Sequence, residues 1–218
     1  MADFAIERRF KKRGFDIIIG VDEVGCGPLA GPVVSSAIYL KSVFFKNRID
    51  DSKKLTVKQR DKASLEIIQK SIFALSIIDE KVIDSTNILI ARRLSMQGAI
   101  TSLLKKLSDK FRFPCLGENI QAKKERVGKI CILVDGNIRL GISDCHVFNI
   151  IRGDALSKTI AAASILAKVN RDRLMSLYDK IWPQYGFLKH KGYPTSFHRN
   201  ALKQFGPCPI HRLSFSWF

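Results

Sequence analysis

Two adjacent carboxylates, Asp22 and Glu23, stand at the end of the apolar strand expected over Ile17–Asp22. Neighbouring carboxylates repel one another, and partial burial at a strand end adds a desolvation cost. A bound divalent cation relieves both penalties. The loop that follows holds Gly25, Gly27, Pro28 and Gly31. Glycines there let the backbone turn with positive φ and come close to a ligand. The stretch reads as a metal and phosphate site built at the end of a strand. Two more acids occupy comparable places: Asp135 closes ICILVD, and Asp154 follows the strand expected over Cys145–Ile151. Four carboxylates brought to one crevice supply the hard oxygen ligands that Mg²⁺ and Mn²⁺ select. Two such ions about 3.5–4 Å apart stabilise both the attacking and the leaving oxygen in phosphodiester hydrolysis. Taken singly, Asp135-Gly136 is also an ordinary turn signal and Asp154 an ordinary helix N-cap. Asp172 falls on the same expected helix as Asp154, 18 residues on. At 1.5 Å per residue it is roughly 27 Å away, too far to share an ion, and reads as a surface or helix-pairing acid.

The elements that must position these acids follow from periodicity. Ile17–Asp22 and Gly31–Leu40 read as two strands joined by the glycine loop, close enough in sequence to pair antiparallel. Asp50–Thr56 (DDSKKLT) is a polar turn, and Thr56 caps a helix over TVKQRDKASLEIIQK. Residues 72–83 alternate as a third strand, Asp84-Ser-Thr-Asn offers helix caps, and 88–110 has helical spacing. The polar, basic stretch 111–129 reads as a loop insertion. Ile130–Asp135 is a short buried strand, and a long helix runs from Ala155 with a small-residue face at Ala161, Ala162, Ala163 and Ala167, ended by Pro183. Residues 1–14 form a basic, partly helical lead-in. Strands alternating with helices argue an α/β layer fold with a mixed sheet.

Composition narrows the partner. The 218 residues suit one domain with a single sizeable core. Thirty-seven Lys and Arg against 20 Asp and Glu give a net charge of +17, which points to a polyanion, most often nucleic acid. Five cysteines, odd in number and without a CxxC pair, argue against a disulfide framework or structural zinc. No apolar run approaches the roughly 20 residues of a membrane span, and the N-terminus lacks a signal-peptide core, so the expected location is the cytoplasm.

Six blocks in register, GVDEVGCGPLAGPVV, DDSKKLT, VDG, GD with AAASILAKVNRDR, YGFLKHKGYPT and GPCPIHRLSF, resemble ribonuclease HII, the type 2 ribonuclease H. They span most of residues 16–215. The resemblance implies a ribonuclease H-like mixed five-stranded sheet flanked by helices, with a helical C-terminal region. It implies one catalytic domain over 1–218, its core about 15–182 and its substrate-contacting region about 183–218. The implied activity is metal-dependent endonucleolytic hydrolysis of RNA in RNA–DNA hybrids and at single ribonucleotides in duplex DNA, leaving 5′-phosphate and 3′-OH ends. A part in ribonucleotide removal during DNA replication and repair goes with it. By position, Asp22, Glu23, Asp135 and Asp154 match the family's metal-binding carboxylates. Gly25 and Gly27 match the outer residues of its Gly-Arg-Gly loop, which contacts the 2′-OH and a neighbouring phosphate. Tyr193 matches its ribose-stacking tyrosine. Cys26 stands in place of the loop arginine, so any contribution of that side chain is lost.

Lys53 and Lys54 are phosphate contacts or a solvated turn, and Lys168, Arg171 and Arg173 line the duplex or form a basic face. His146, His190, His198 and His211 fit no zinc spacing and read as core or phosphate-side residues. Cys26 lacks a local His partner and reads as a bystander in catalysis. The sequence thus describes a monomeric Mg²⁺- or Mn²⁺-dependent endoribonuclease. Its competitors are a ribonuclease HIII-like enzyme, which would carry a further N-terminal domain, a non-catalytic basic nucleic-acid-binding protein, and a resolvase of the same fold.

Overall fold

The computed structural model describes residues 1–111, 130–143 and 145–217. Helix α1 (Ala5–Lys12) leads into β1 (Ile17–Val24), which returns through the glycine loop as β2 (Val33–Leu40). A 3₁₀ turn (Ser52–Lys54) precedes α2 (Val57–Gln69), which Thr56 caps as expected, with Gln59 reaching back to complete a reciprocal capping box. Then come β3 (Ser71–Ile78), α3 (Glu80–Ser85), α4 (Ile88–Phe111), β4 (Ile130–Asp135) and β5 (His146–Ile150). The chain ends in α5 (Gly153–Leu156), α6 (Lys158–Ile181), a 3₁₀ turn (Pro183–Tyr185), α7 (Phe187–His190) and α8 (Ser196–Phe205).

The five strands form one mixed sheet in the order β3-β2-β1-β4-β5. β1 pairs antiparallel with β2 and parallel with β4, so the ends of β1 and β4 that carry acids lie side by side. Side chains alternate between the two faces of a strand. On β1, Ile17, Ile19 and Val21 pack with Met96, Ile100 and Leu103 of α4. Ile18 instead meets Ile160 at the start of α6, and beside it α6 joins α2 through Ala162, Ile165, Ala63 and Ile67. Gly20 is what lets α6 come so close. A Cβ there would lie 2.4 Å from the backbone carbon of Thr159.

Several elements differ from the sequence expectation: β1 runs on to Val24 rather than ending at Asp22, β5 is shorter by one residue at each end, and three differences have a visible cause. The third strand stops at Ile78 rather than running to residue 83, because the Asp79 side chain accepts from Val82 N at 3.0 Å and starts α3. The long helix does not begin at Ala155. It breaks at Ser157, whose hydroxyl accepts from Ile160 N and caps α6, leaving Asp154 on the separate short α5. The strand expected from Gly31 begins at Val33, since Gly31 has φ +82° against the sulfur of Met175. Within 84–87, Asn87 is the cap of α4, whereas Asp84 accepts from Leu213 and Ser214 and pins the C-terminal segment. Phe111, the first residue of the expected 111–129 insertion, closes α4, and the rest of that insertion, 112–129, lies outside the described residues.

Candidate active site

The alternation of β1 sends its two acids to opposite faces. Asp22 continues the Ile18–Gly20 face, where the Ser164 hydroxyl of α6 stands beside it. That hydroxyl shares a 3.0 Å hydrogen bond with Ser52 of the DDSKK turn. Glu23 falls on the α4 face, where its Oε1 lies 2.7 Å from Arg92 Nε. The N–H of Arg92 is not aligned on that oxygen, so the contact is an ion pair rather than a directed hydrogen bond. Asp135, at the end of the neighbouring β4, accepts from Gly153 N at 2.6 Å, which ties the strand end to α5 and its Asp154. The chain reaches α5 through Arg152 in the left-handed region at φ 55°.

The acids feel one another. Asp22 is 5% exposed, and burial, then the charges of Glu23 and Asp135, push its carboxyl well above the usual range. Burial also raises Glu23, although Arg92 pulls the other way. Asp154 is raised by burial, then by Asp135 and Asp51, with Lys53 opposing. Four sequence candidates, Asp22, Glu23, Asp135 and Asp154, therefore share one electrostatic neighbourhood, with Lys53 at its edge. Lys54 turns instead to Asp51, 4.0 Å away.

Is this a place for a cation? Among the described residues no three His, Cys, Asp or Glu side chains close on a common point as they stand. The polar atoms around the acids nevertheless lack partners. Glu23 Oε2 and the hydroxyls of Ser35 and Ser36 are buried without a hydrogen bond among the described residues. Ser36 and Ser35 stand opposite Asp22 and Glu23 in the β1–β2 register. Unpaired buried oxygens beside repelling carboxylates are costly by themselves, and a hard divalent ion with its hydration shell matches that donor set.

Beyond β1 the glycine loop is held by two arginines that sequence reasoning did not place there. Arg212 is 0% exposed and donates to the carbonyls of Gly25 (2.6 Å), Cys26 (3.1 Å) and Gly31 (2.7 Å). Arg171, also 0% exposed, donates to Pro32, Ala30 and Lys191. It neither lines a duplex nor forms a basic face, which corrects the sequence reading. Burial lowers the pKa of both, Arg212 to about 10. Of the two residues grouped with Arg171, Lys168 pairs with Asp172 at 2.8 Å and Arg173 is exposed. Asp172 also meets Arg60 of α2 at 3.9 Å, the helix-pairing role its distance from Asp154 suggested.

Gly25 has φ +101°, and a side chain there would strike Arg171, so this glycine serves the loop's fold. Gly27 is exposed, and its nearest neighbour is the ring of Tyr193, 3.7 Å from where a Cβ would stand. The structure thus brings together the loop and the tyrosine that the sequence singled out 166 positions apart. Tyr193 is 40% exposed, while its backbone is fixed beneath. Cys26 Sγ lies 3.8 Å from Glu23 Oε1, and burial and that charge push the thiol up to about 12, which keeps it neutral.

The support under Tyr193 is a chain of imidazoles. Cys208 N donates to His211 Nδ1 at 2.9 Å, which leaves the His211 proton on Nε2 facing His198 Nε2 at 3.0 Å. His198 then carries its proton on Nδ1, 3.0 Å from the carbonyl of Tyr193. These tautomers follow from the bonding pattern. Burial lowers both groups to about 4, so they are neutral. His190 bonds Tyr185 O and Gly192 N and is half-buried beside them. His146, the fourth, belongs to an aromatic group with Phe15 and Phe148.

This geometry has counterparts. Residues 19–217 match the family model described as Ribonuclease HII. A ribonuclease HII from Ruminiclostridium cellulolyticum is 47% identical over 212 residues, covering 97% of this chain and 74% of its own. Among solved structures, the ribonuclease H2 of Pyrococcus horikoshii OT3 superposes with a TM-score of 0.65 at 24% identity, covering 92% of this chain and 94% of that one. Bst-RNase HIII in complex with Mn²⁺ gives a TM-score of 0.63 at 18% identity, over 95% and 69%. At those identities the two structures speak for the fold, a ribonuclease H-like mixed sheet with flanking helices and a helical C-terminal region. No helix of the described residues is long and apolar enough to cross a membrane. With nearly the whole chain inside the family model and close to half of its residues shared with a named member, it belongs to the ribonuclease HII family of endoribonucleases.

Proposed function

We propose that the chain hydrolyses the RNA strand of RNA–DNA hybrids and also cuts at single ribonucleotides in duplex DNA, leaving 5′-phosphate and 3′-OH ends. The observation that carries the proposal is the convergence of Asp22, Glu23 and Asp135 at the ends of β1 and β4 with Asp154 at the start of α5, beside oxygens with no partner among the described residues. Asp22, Glu23 and Asp135 would hold Mg²⁺ or Mn²⁺ directly, with Asp154 completing the set; the Mn²⁺ bound by the structurally similar ribonuclease HIII is consistent with this. Two bound ions would supply an activated water and charge stabilisation at the phosphate.

The chain's own residues do the rest. Arg212 and Arg171 occupy the carbonyls of the glycine loop, which fixes the loop before any substrate arrives. The amides of Cys26 and Gly27 then read the 2′-OH, the group that distinguishes RNA from DNA at a site. Tyr193, held through its carbonyl with its ring against Gly27, stacks on the sugar at the junction. Lys53 meets a phosphate beside Asp154, and the net charge of +17 draws the duplex in. We read residues 1–218 as one catalytic unit, since Arg212 of the C-terminal region is built into the loop after β1, and we take that unit to work as a monomer.

Cleavage of an all-DNA duplex, a duplex with one ribonucleotide and a full hybrid, each with Mg²⁺ and with Mn²⁺, tests this reading. Both ribonucleotide-containing substrates should be cut and the all-DNA duplex left intact. Metal-dependent cutting that ignores the 2′-OH would overturn it.

A further inference from the structure

Arg92 sits in the acid cluster but has no place in the chemistry above. It projects from the first turns of α4, mostly buried, with Nε 2.7 Å from Glu23 Oε1. On its other side Nη2 lies 3.3 Å from the point a Cβ would occupy on Gly136, the residue directly after Asp135. The guanidinium therefore bridges the ends of β1 and β4, and the absent side chain at position 136 is what gives it room. Arg92 differs sharply from the two arginines behind the glycine loop. Arg171 and Arg212 spend their donors on carbonyls, whereas Arg92 Nε is buried without an aligned acceptor. Among the described residues no hydrogen bond uses Nη1 or Nη2 either.

An arginine kept only to hold the fold has no reason to leave its fork unspent. An arginine kept only to neutralise Glu23 would align its Nε–H or form the bidentate pair that carboxylates favour. Cys26, which shares Glu23 with it, brings no charge to the loop. We infer that Arg92 is a substrate-contacting residue whose guanidinium takes a phosphate of the nucleic-acid strand lying across the ends of β1 and β4. The inference rests on the proposed function, since it needs a strand at that place. The shape of the fork and its charge both matter: two parallel N–H groups fit two phosphate oxygens, and a point charge does not reproduce them.

The test is binding of a fluorescein-labelled RNA–DNA hybrid in Mg²⁺ at several KCl concentrations, followed by anisotropy. An Asp22→Asn parent keeps the substrate whole. Adding Arg92→Gln retains an amide donor for Glu23 but removes the charge. Losing one phosphate contact should reduce the slope of log K against log salt by about 0.9 and weaken binding several-fold at low salt. Arg92→Lys should restore the slope while recovering only part of the affinity. Thermal melts of all three proteins establish that each is folded. If Arg92→Gln binds within twofold of the parent with an unchanged slope, the residue is only a counter-ion for Glu23 and the inference is wrong. Failure of the underlying reading looks different: the wild-type protein would leave the hybrid uncut, whatever the slopes.

Discussion

The two sides of the glycine loop bury charge by opposite rules. On the C-terminal side Arg171, Arg212, His198 and His211 are almost wholly buried, and their polar atoms find partners in carbonyls, an amide or each other. On the sheet side Asp22, Glu23 and Asp154 are crowded against acids, their carboxyls raised, with Glu23 Oε2 and two serine hydroxyls left unpaired among the described residues. Burying a polar group costs a few kcal/mol unless it is hydrogen-bonded. The satisfied side is therefore scaffold, and the unsatisfied side holds energy that a ligand can release. That division is what a stability–function trade-off looks like within one structure.

Each side can be removed by a single substitution, and the scaffold should be the more costly to lose. Arg212→Met keeps the bulk but strips donors from the carbonyls of Gly25, Cys26 and Gly31. Unfolding in urea should show a loss of about 3–5 kcal/mol. Arg212→Lys should recover only part, because one ammonium cannot span three carbonyls as a fork does. A loss below about 1 kcal/mol would mean that the arginine is not what holds the loop.

Asp22→Asn should do the reverse. Removing one charge from the crowded set should stabilise the metal-free protein at neutral pH by about 0.5–2 kcal/mol, while cleavage falls at least about 100-fold. The sign follows from linkage. A carboxyl raised by folding is penalised in its ionised form, so the folded protein regains stability as pH falls through the raised value. The advantage of the variant should accordingly shrink as pH is lowered from 7. A variant that is destabilised and still cleaves normally would place the reactive acids elsewhere.

How far the sequence discloses this division depends on where each signal comes from. The acids are legible because paired carboxylates at the end of an apolar strand make no sense as packing, and alternation sends Asp22 and Glu23 to different faces. Arg171 could have been read as well. It lies four residues from both Ala167 and Met175, within a buried stripe, so helical spacing alone places it inside. The break at Ser157 is less accessible. Ser157 is a possible N-cap type, but nothing nearby says that a helix must restart there, and what separates α5 from α6 comes from far away in sequence. Asp3 bonds the backbone of Leu156 and Lys158, and Glu7 accepts from the Ser157 hydroxyl and Thr159 N. Arg92 is opaque for a similar reason: nothing in ILIARRLSM tells which of two adjacent arginines turns to a strand more than 60 residues upstream.

The smallest effect expected is a pH dependence of opposite sign on the satisfied side. His198 and His211 face each other with one proton between their Nε2 atoms, 3.0 Å apart. A second proton on His198 would set two N–H groups head to head across that contact, and one on His211 would set Nδ1–H against the Cys208 N–H it now accepts from; burial already lowers both pKa values to about 4. Unfolded histidine titrates near 6.5, so between about 6.5 and 4 the unfolded chain binds more protons than the folded one. The stability from the neutral pair is complete above that window and is lost as pH falls through it. Acid therefore weakens this side while it relieves the carboxylates across the loop. His198→Asn keeps an amide donor for Tyr193 O but removes one titrating group. Between pH 7 and 5 it should lose about 2 kcal/mol less than the wild type in urea unfolding. If both proteins lose stability in parallel over that range, the imidazole chain is not the acid-sensitive part of the scaffold.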